Sequence, residues 1–155
     1  MARSAQTDLD DLYGSVILDH CRNPRNPQPI EPADLRADGV NPFCGDEVHL
    51  QVALKNGRAA RVGVQSVGCS INRASASMLS EAIVGKTLPE MKTLSQAVRA
   101  MMDGKPPHGG ALKGHNDLRA LEQVRAFPVR IKCALLPWTT LAEGLGTEDA
   151  NQIAH

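Results

Sequence analysis

The chain has 155 residues, with 17 Lys and Arg balanced by 17 Asp and Glu, 42% apolar residues and four cysteines; its aromatics are Tyr13, Phe43, Phe127 and Trp138. This length suits one domain with its own core. Neutral charge argues against a nucleic-acid binder, and the lack of a basic amphipathic helix or of about 18 consecutive apolar residues argues against membrane attachment.

Residues 1–11 are polar and acidic, unlike a signal peptide, so a cytoplasmic location is expected. Thiols stay reduced there, and cysteines serve as ligands or nucleophiles rather than as a disulfide frame. From Asp8 onward, Leu9, Leu12, Tyr13, Val16 and Ile17 recur at helical spacing, with Thr7 as a cap and Asp8, Asp10 and Asp11 suited to the first turn. This first helix should stop near Asn23, because Pro24, Pro27, Pro29 and Pro32 impose an extended connection. Asn41-Pro42-Phe43-Cys44-Gly45-Asp46 reads as a loop. Val48, Leu50, Val52 and Leu54 then alternate with His49, Gln51 and Ala53, and Asn56-Gly57 precedes a second alternating run through Ala60, Val62 and Val64. That pattern is a β-hairpin with one buried face. Gly68-Cys69 ends its second strand, and Ile71, Ala74, Met78, Leu79, Ala82 and Ile83 trace a second helix that Gly85 terminates.

Thr87-Leu88-Pro89-Glu90 has the spacing of a capping box for a third helix carrying Met91, Leu94, Val98 and Met101 to about Gly104. Residues 105–110 form a Gly/Pro-rich loop, and residues 116–126 read as a short fourth helix on Leu118, Leu121 and Val124. A last helix is expected over 129–144. Pro137 inside it would leave the Cys133 carbonyl without its usual partner, so both a kink and a later start near Cys133 stay open. The expected fold is α+β: a small antiparallel sheet of about three strands, the third from the Pro-rich region, with helices packed on one face. Residues 1–146 form a single domain in this reading and 147–155 a disordered tail.

Cys44-Gly45-Asp46 can turn a thiolate and a carboxylate to one side, with Gly45 free to take a positive φ. Cys69, at a strand-to-helix junction, and Cys133, near a helix start, would complete three sulfurs and one oxygen, a tetrahedral set that zinc accepts. Such a set would carry a formal charge of about −2, which Arg130 and Lys132 can offset. No Cys-x-x-Cys pair is present, and spacing alone suits buried structural thiols equally well. Cys21, after His20 at the end of the first helix, reads as a bystander. His108 and His115 read as exposed loop histidines, and Ala74-Ser75-Ala76-Ser77 as small residues that permit close helix packing.

Three stretches in order carry a family resemblance: Asn41-Pro42-Phe43-Cys44-Gly45-Asp46, then Gly68-Cys69-Ser70-Ile71 with Ala74-Ser75-Ala76-Ser77-Met78, then Arg130-Ile131-Lys132-Cys133-Ala134-Leu135-Leu136-Pro137-Trp138. Together they resemble the IscU/NifU N-terminal superfamily of iron–sulfur assembly proteins, from about Leu12 to Leu145. Members that scaffold a nascent cluster carry a histidine before the third cysteine and a Leu-Pro-Pro-Val-Lys motif upstream. This chain has Lys132 in that place, lacks the motif, and carries a long segment from about Lys86 to Val124 and an Arg three residues before Cys133, which resemble the SufU branch.

The resemblance implies an NifU/IscU-like fold and a zinc-dependent sulfurtransferase. Zinc would be held by Cys44, Asp46, Cys69 and Cys133, and the partner would be a PLP-dependent cysteine desulfurase of the SufS type. It further implies that Cys44 leaves the metal, displaced by a histidine of the partner, to accept persulfide sulfur for a downstream acceptor or scaffold, with Arg130 supporting. The alternative implied by the wider superfamily is a scaffold holding a [2Fe–2S] cluster or iron on the same residues, to which thiolates are equally suited. A structural zinc that only staples the fold is a third reading. Departures from the family pattern are Ser66 in place of a glycine before Val67-Gly68-Cys69, Asn72 in place of a serine, and Pro137 inside the last helix.

Overall fold

Alternation in the central hairpin is realised in a computed structural model that describes residues 5–105 and 110–154, with side chains over 14–105 and 110–146. Strand β2 (Asp46–Lys55) pairs antiparallel with β3 (Arg58–Val67), and Asn56 and Gly57 make the turn at φ 55 and 76. Two successive positive φ values match the right-handed twist of the flanking strands. Strand β1 (Leu35–Asn41) pairs antiparallel with the other side of β2, giving the order β1-β2-β3. The third strand thus starts only after the last proline of the Pro-rich stretch. Residues 24–32 themselves run beside β3, where Val64 N–H donates to the Asn26 carbonyl and the Gln65 side-chain amide to that of Pro27. Prolines cannot donate into a ladder, so the stretch covers an edge instead of extending the sheet.

Helix α1 (Ala5–Arg22) precedes the sheet; α2 (Ser70–Ala82), α3 (Leu88–Met102), α4 (Asn116–Arg119) and α5 (Pro128–Ala154) follow it. The core joins Val48, Leu50 and Val52 of the sheet to Met78, Leu79, Leu94, Val98, Trp138 and Leu141 of the helices. Each such large side chain contributes about 1.5–3 kcal/mol through burial. Helix α5 lies directly on β1, and small residues set that distance. A Cβ at Gly39 would meet Thr140 and Leu136, and one at Gly144 would reach to 3.0 Å of the Ala37 Cβ.

The capping box of α3 is complete: Glu90 N–H donates to Thr87 Oγ1, and Thr87 N–H donates to Glu90 Oε1. The expected fourth helix divides. After Arg119 the chain tightens to a 3-10 helix over Ala120–Ala126. Buried Leu118, Leu121 and Val124 recur every three residues, the period of a 3-10 helix and not the 3.6 of an α-helix. Helix α5 begins at Pro128 and continues past Pro137, so the later start does not occur. Its backbone carries helix through 147–154, the stretch expected as a tail. Near the proline, side chains take up carbonyls: Ser75 Oγ donates to Ala134 O at 2.6 Å, Thr140 Oγ1 to Leu136 O at 2.7 Å and Ser95 Oγ to Trp138 O at 3.1 Å.

Candidate metal centre

Three separate local structures deliver the four expected residues to one end of the sheet. Pairing of Asn41 with Asp46 leaves 42–45 as a tight turn, in which Cys44 and Gly45 N–H both donate to the Asn41 carbonyl, at 3.3 and 2.8 Å. Gly45 sits at φ 71, so Cys44 and Asp46 converge through a turn and not through extended alternation. Cys69 is the N-cap of α2, in extended backbone at φ −72 and ψ 162. Cys133 is buried in the second turn of α5, while Cys44 is exposed at the tip of its turn.

The Sγ atoms of Cys44 and Cys133 are 4.0 Å apart, and the donor atoms of Cys44, Asp46 and Cys133 all lie within 4.8 Å of one another. Asp46, only 1% exposed, divides its carboxylate: Oδ1 accepts the Cys69 N–H at 2.9 Å, and Oδ2 faces Cys69 Sγ at 3.5 Å. One oxygen is thereby occupied by backbone and the other turned to the sulfurs. Gly68, at φ 126, makes room for this arrangement, because a Cβ there would land on the Asp46 carboxylate.

Electrostatics follow from the crowding. Burial works to raise the Asp46 pKa, but the Cys69 N–H and the thiols of Cys44, Cys133 and Cys69 outweigh it, so the carboxyl lies below its ordinary value. Burial, followed by hydrogen bonding to Cys69 and Asp46, pushes the Cys133 thiol far above the usual thiol range. Four potential anions around one point need a cation to be charged together. Arg130 stands next to them; its pKa is raised by hydrogen bonding to Cys69, by the charges of Cys69 and Cys133, and by hydrogen bonding to Cys133. Cys44, Asp46 and Cys133 form the mutually close group, and Cys69 adjoins it through Asp46 Oδ2 without belonging to it. Three sulfurs and one carboxylate oxygen are the donor types and number that a tetrahedral zinc site accepts.

Cys21 is half-buried against the core and does not join this group. His115 is half-buried and lines a different cavity; burial, with the charge of Lys86, lowers its pKa. His108 lies outside the described residues. Sequence reasoning missed the apolar collar beside Cys44: Phe43 and Val129 are exposed and line the same cavity as Cys44. Lys132 lies over the Phe43 ring, 5.3 Å from its centroid. A cavity of about 370 Å³ opens beside Cys44 between Asn41, Phe43, Pro128, Val129 and Lys132. An aromatic next to the loop cysteine, in a chain with so few rings, was the available signal.

Among the described residues no helix is long and apolar enough to cross a membrane. The description "NifU-like N terminal domain" matches residues 12–134. The chain is 38% identical to the zinc-dependent sulfurtransferase SufU of Bacillus subtilis, over 94% of this chain and 97% of that relative. It is 30% identical to the iron–sulfur cluster assembly scaffold protein IscU of Thermotoga maritima, over 86% of this chain and 92% of the relative. Among solved structures, a SufU from Fervidobacterium islandicum, described as a scaffold candidate for the SUF system, superposes with a TM-score of 0.75 at 32% identity, covering 84% of this chain and 93% of the other.

Proposed function

Because the chain belongs to the NifU-like N-terminal domain family, we propose that it is a zinc-dependent sulfurtransferase. In this reading Cys44 accepts sulfur from the persulfide of a PLP-dependent cysteine desulfurase of the SufS type and passes it on for iron–sulfur assembly. The observation that supports this is an asymmetry of the four donors. Asp46, Cys69 and Cys133 belong to a strand, a helix cap and a helix, whereas Cys44 alone is exposed on a turn. Zinc, when held by Cys44, Asp46, Cys69 and Cys133, would keep thiols deprotonated at neutral pH without changing its own oxidation state.

The transfer then needs only thiolate chemistry. The Cys44 thiolate attacks the outer sulfur of the partner's Cys-S-SH, a bond forms from Cys44 Sγ to that sulfur, and the old S–S bond breaks. The electron pair leaves with the partner's cysteine as a thiolate, so no outside oxidant or reductant is required. Arg130 keeps positive charge beside the thiolates, and the exposed apolar side chains of Phe43 and Val129 beside Cys44 offer the partner a surface that sheds water on contact.

Cys44→Ala should leave a folded protein that no longer stimulates the desulfurase, while mass spectrometry of the wild type after turnover should find an added sulfur on the Cys44 peptide. Stimulation that survived the substitution would overturn the acceptor role. The scaffold reading, with a [2Fe–2S] cluster on the same residues, is favoured by the sulfur-rich donor set itself, which iron accepts as readily. Anaerobic purification of a coloured, iron-containing protein would establish it in place of the zinc reading.

A further inference from the structure

Away from the cysteines, a second group of ligand-type side chains gathers where α1, α2 and α4 meet. His20 is 1% exposed, and its Nε2 lies 2.8 Å from Asp117 Oδ2 and 3.8 Å from Glu81 Oε1. The three donor atoms all fall within 4.8 Å of one another. Glu81 and Asp117 are half-exposed and line a cavity of about 440 Å³ together with His115 and Asn116. One carboxylate would satisfy the imidazole; here two converge on the same ring nitrogen. Arg25 gives Glu81 only a distant contact at 3.7 Å, because its guanidinium is engaged by Asp19 at 2.7 Å.

We propose that His20, Glu81 and Asp117 form a second divalent-cation site, of nitrogen and oxygen donors suited to zinc, with water from the cavity completing the coordination. The other ring nitrogen carries the support such a ligand needs. Nδ1 is 2.8 Å from Ser77 Oγ, which also accepts the Arg25 N–H at 2.9 Å. Ser77 lies within α2, so its hydroxyl hydrogen can turn back to a carbonyl one turn earlier and leave the oxygen to accept Nδ1–H. That tautomer frees the Nε2 lone pair for the metal. The site shares no residue with the cysteine cluster and does not depend on what that cluster does.

Cobalt(II) added to the untagged, metal-free full chain distinguishes the two sites, because only the cysteine cluster gives thiolate-to-metal charge transfer. Equilibrium dialysis should find two equivalents, the second without that absorption. Asp117→Asn and Glu81→Gln, both at half-exposed positions, should each weaken the second equivalent about tenfold or more and leave the first unchanged. Cys44→Ser should disturb the first and spare the second. A single equivalent in the wild type, or a second one indifferent to both carboxylate substitutions, would overturn the site.

Discussion

Gly68 occupies the least forgiving position next to the donors. Its φ of 126 is closed to side-chain-bearing residues without strain, and a Cβ there would come within 2.9 Å of the Asp46 Cα. Gly68→Ala must therefore twist the backbone that positions Cys69 or displace the carboxylate that accepts the Cys69 N–H. We expect a loss of about 1–3 kcal/mol in stability from the backbone alone. Zinc affinity should fall about tenfold or more, as for other losses of ligand support. Competition against a chromophoric chelator, with thermal unfolding of the metal-free chain alongside, measures the two separately. An unchanged affinity would mean that Asp46 is not held by this contact.

Helix α5 and helix α2 are fastened beside the turn of α5 that carries Cys133. Ser75 Oγ accepts the Trp138 Nε1–H at 3.0 Å and donates to the Ala134 carbonyl, one residue beyond Cys133. Ser75→Ala leaves the buried Trp138 Nε1–H without its acceptor and takes a second donor from the Ala134 carbonyl, and should destabilise the protein by about 1–3 kcal/mol, read from denaturant unfolding. Because the lost bond adjoins Cys133, zinc should also exchange faster than in the wild type. The small-residue run Ala74–Ser77 was legible as a packing surface, but its hydrogen bonds were not, since Ala134 and Trp138 lie 59 and 63 residues away. Similarly His20 meets Ser77 and Asp117 across 57 and 97 residues, a pairing that no local pattern announces. Local signals did carry the hairpin, the capping box and the order of the cysteines. Leu118, Leu121 and Val124 carried their own warning of a 3-10 helix in a spacing of three.

Over the molecule as a whole, large exposed apolar side chains flank Cys44. Phe43 is 88% exposed and Val129 83%, so neither supports the core, and replacing both by Ser should leave stability within about 0.5 kcal/mol. If the collar receives the sulfur donor, the double variant should keep its zinc yet need a higher concentration, by about tenfold, to half-saturate stimulation of the desulfurase. Equal half-saturation would assign docking to another face. The element order from helix through sheet to helices was enough to foresee the α+β architecture, because each element's apolar face repeats at its own period. The collar was less visible, since exposure depends on how distant segments pack and not on the residue types alone.

Cys44 is attached to the protein by a four-residue turn whose inward hydrogen bonds are few, while its three companions are built into regular structure. Displacing it requires rotation of a short loop, a motion of nanoseconds to microseconds, and not the opening of any helix or strand pair. Excursions of the sulfur can therefore be far more frequent than encounters with a protein partner, whose arrival at ordinary concentrations is slower. If Cys44 is the sulfur acceptor, its turn would not limit transfer under those conditions, and a moderate stiffening of the turn should leave the rate set by partner arrival and chemistry.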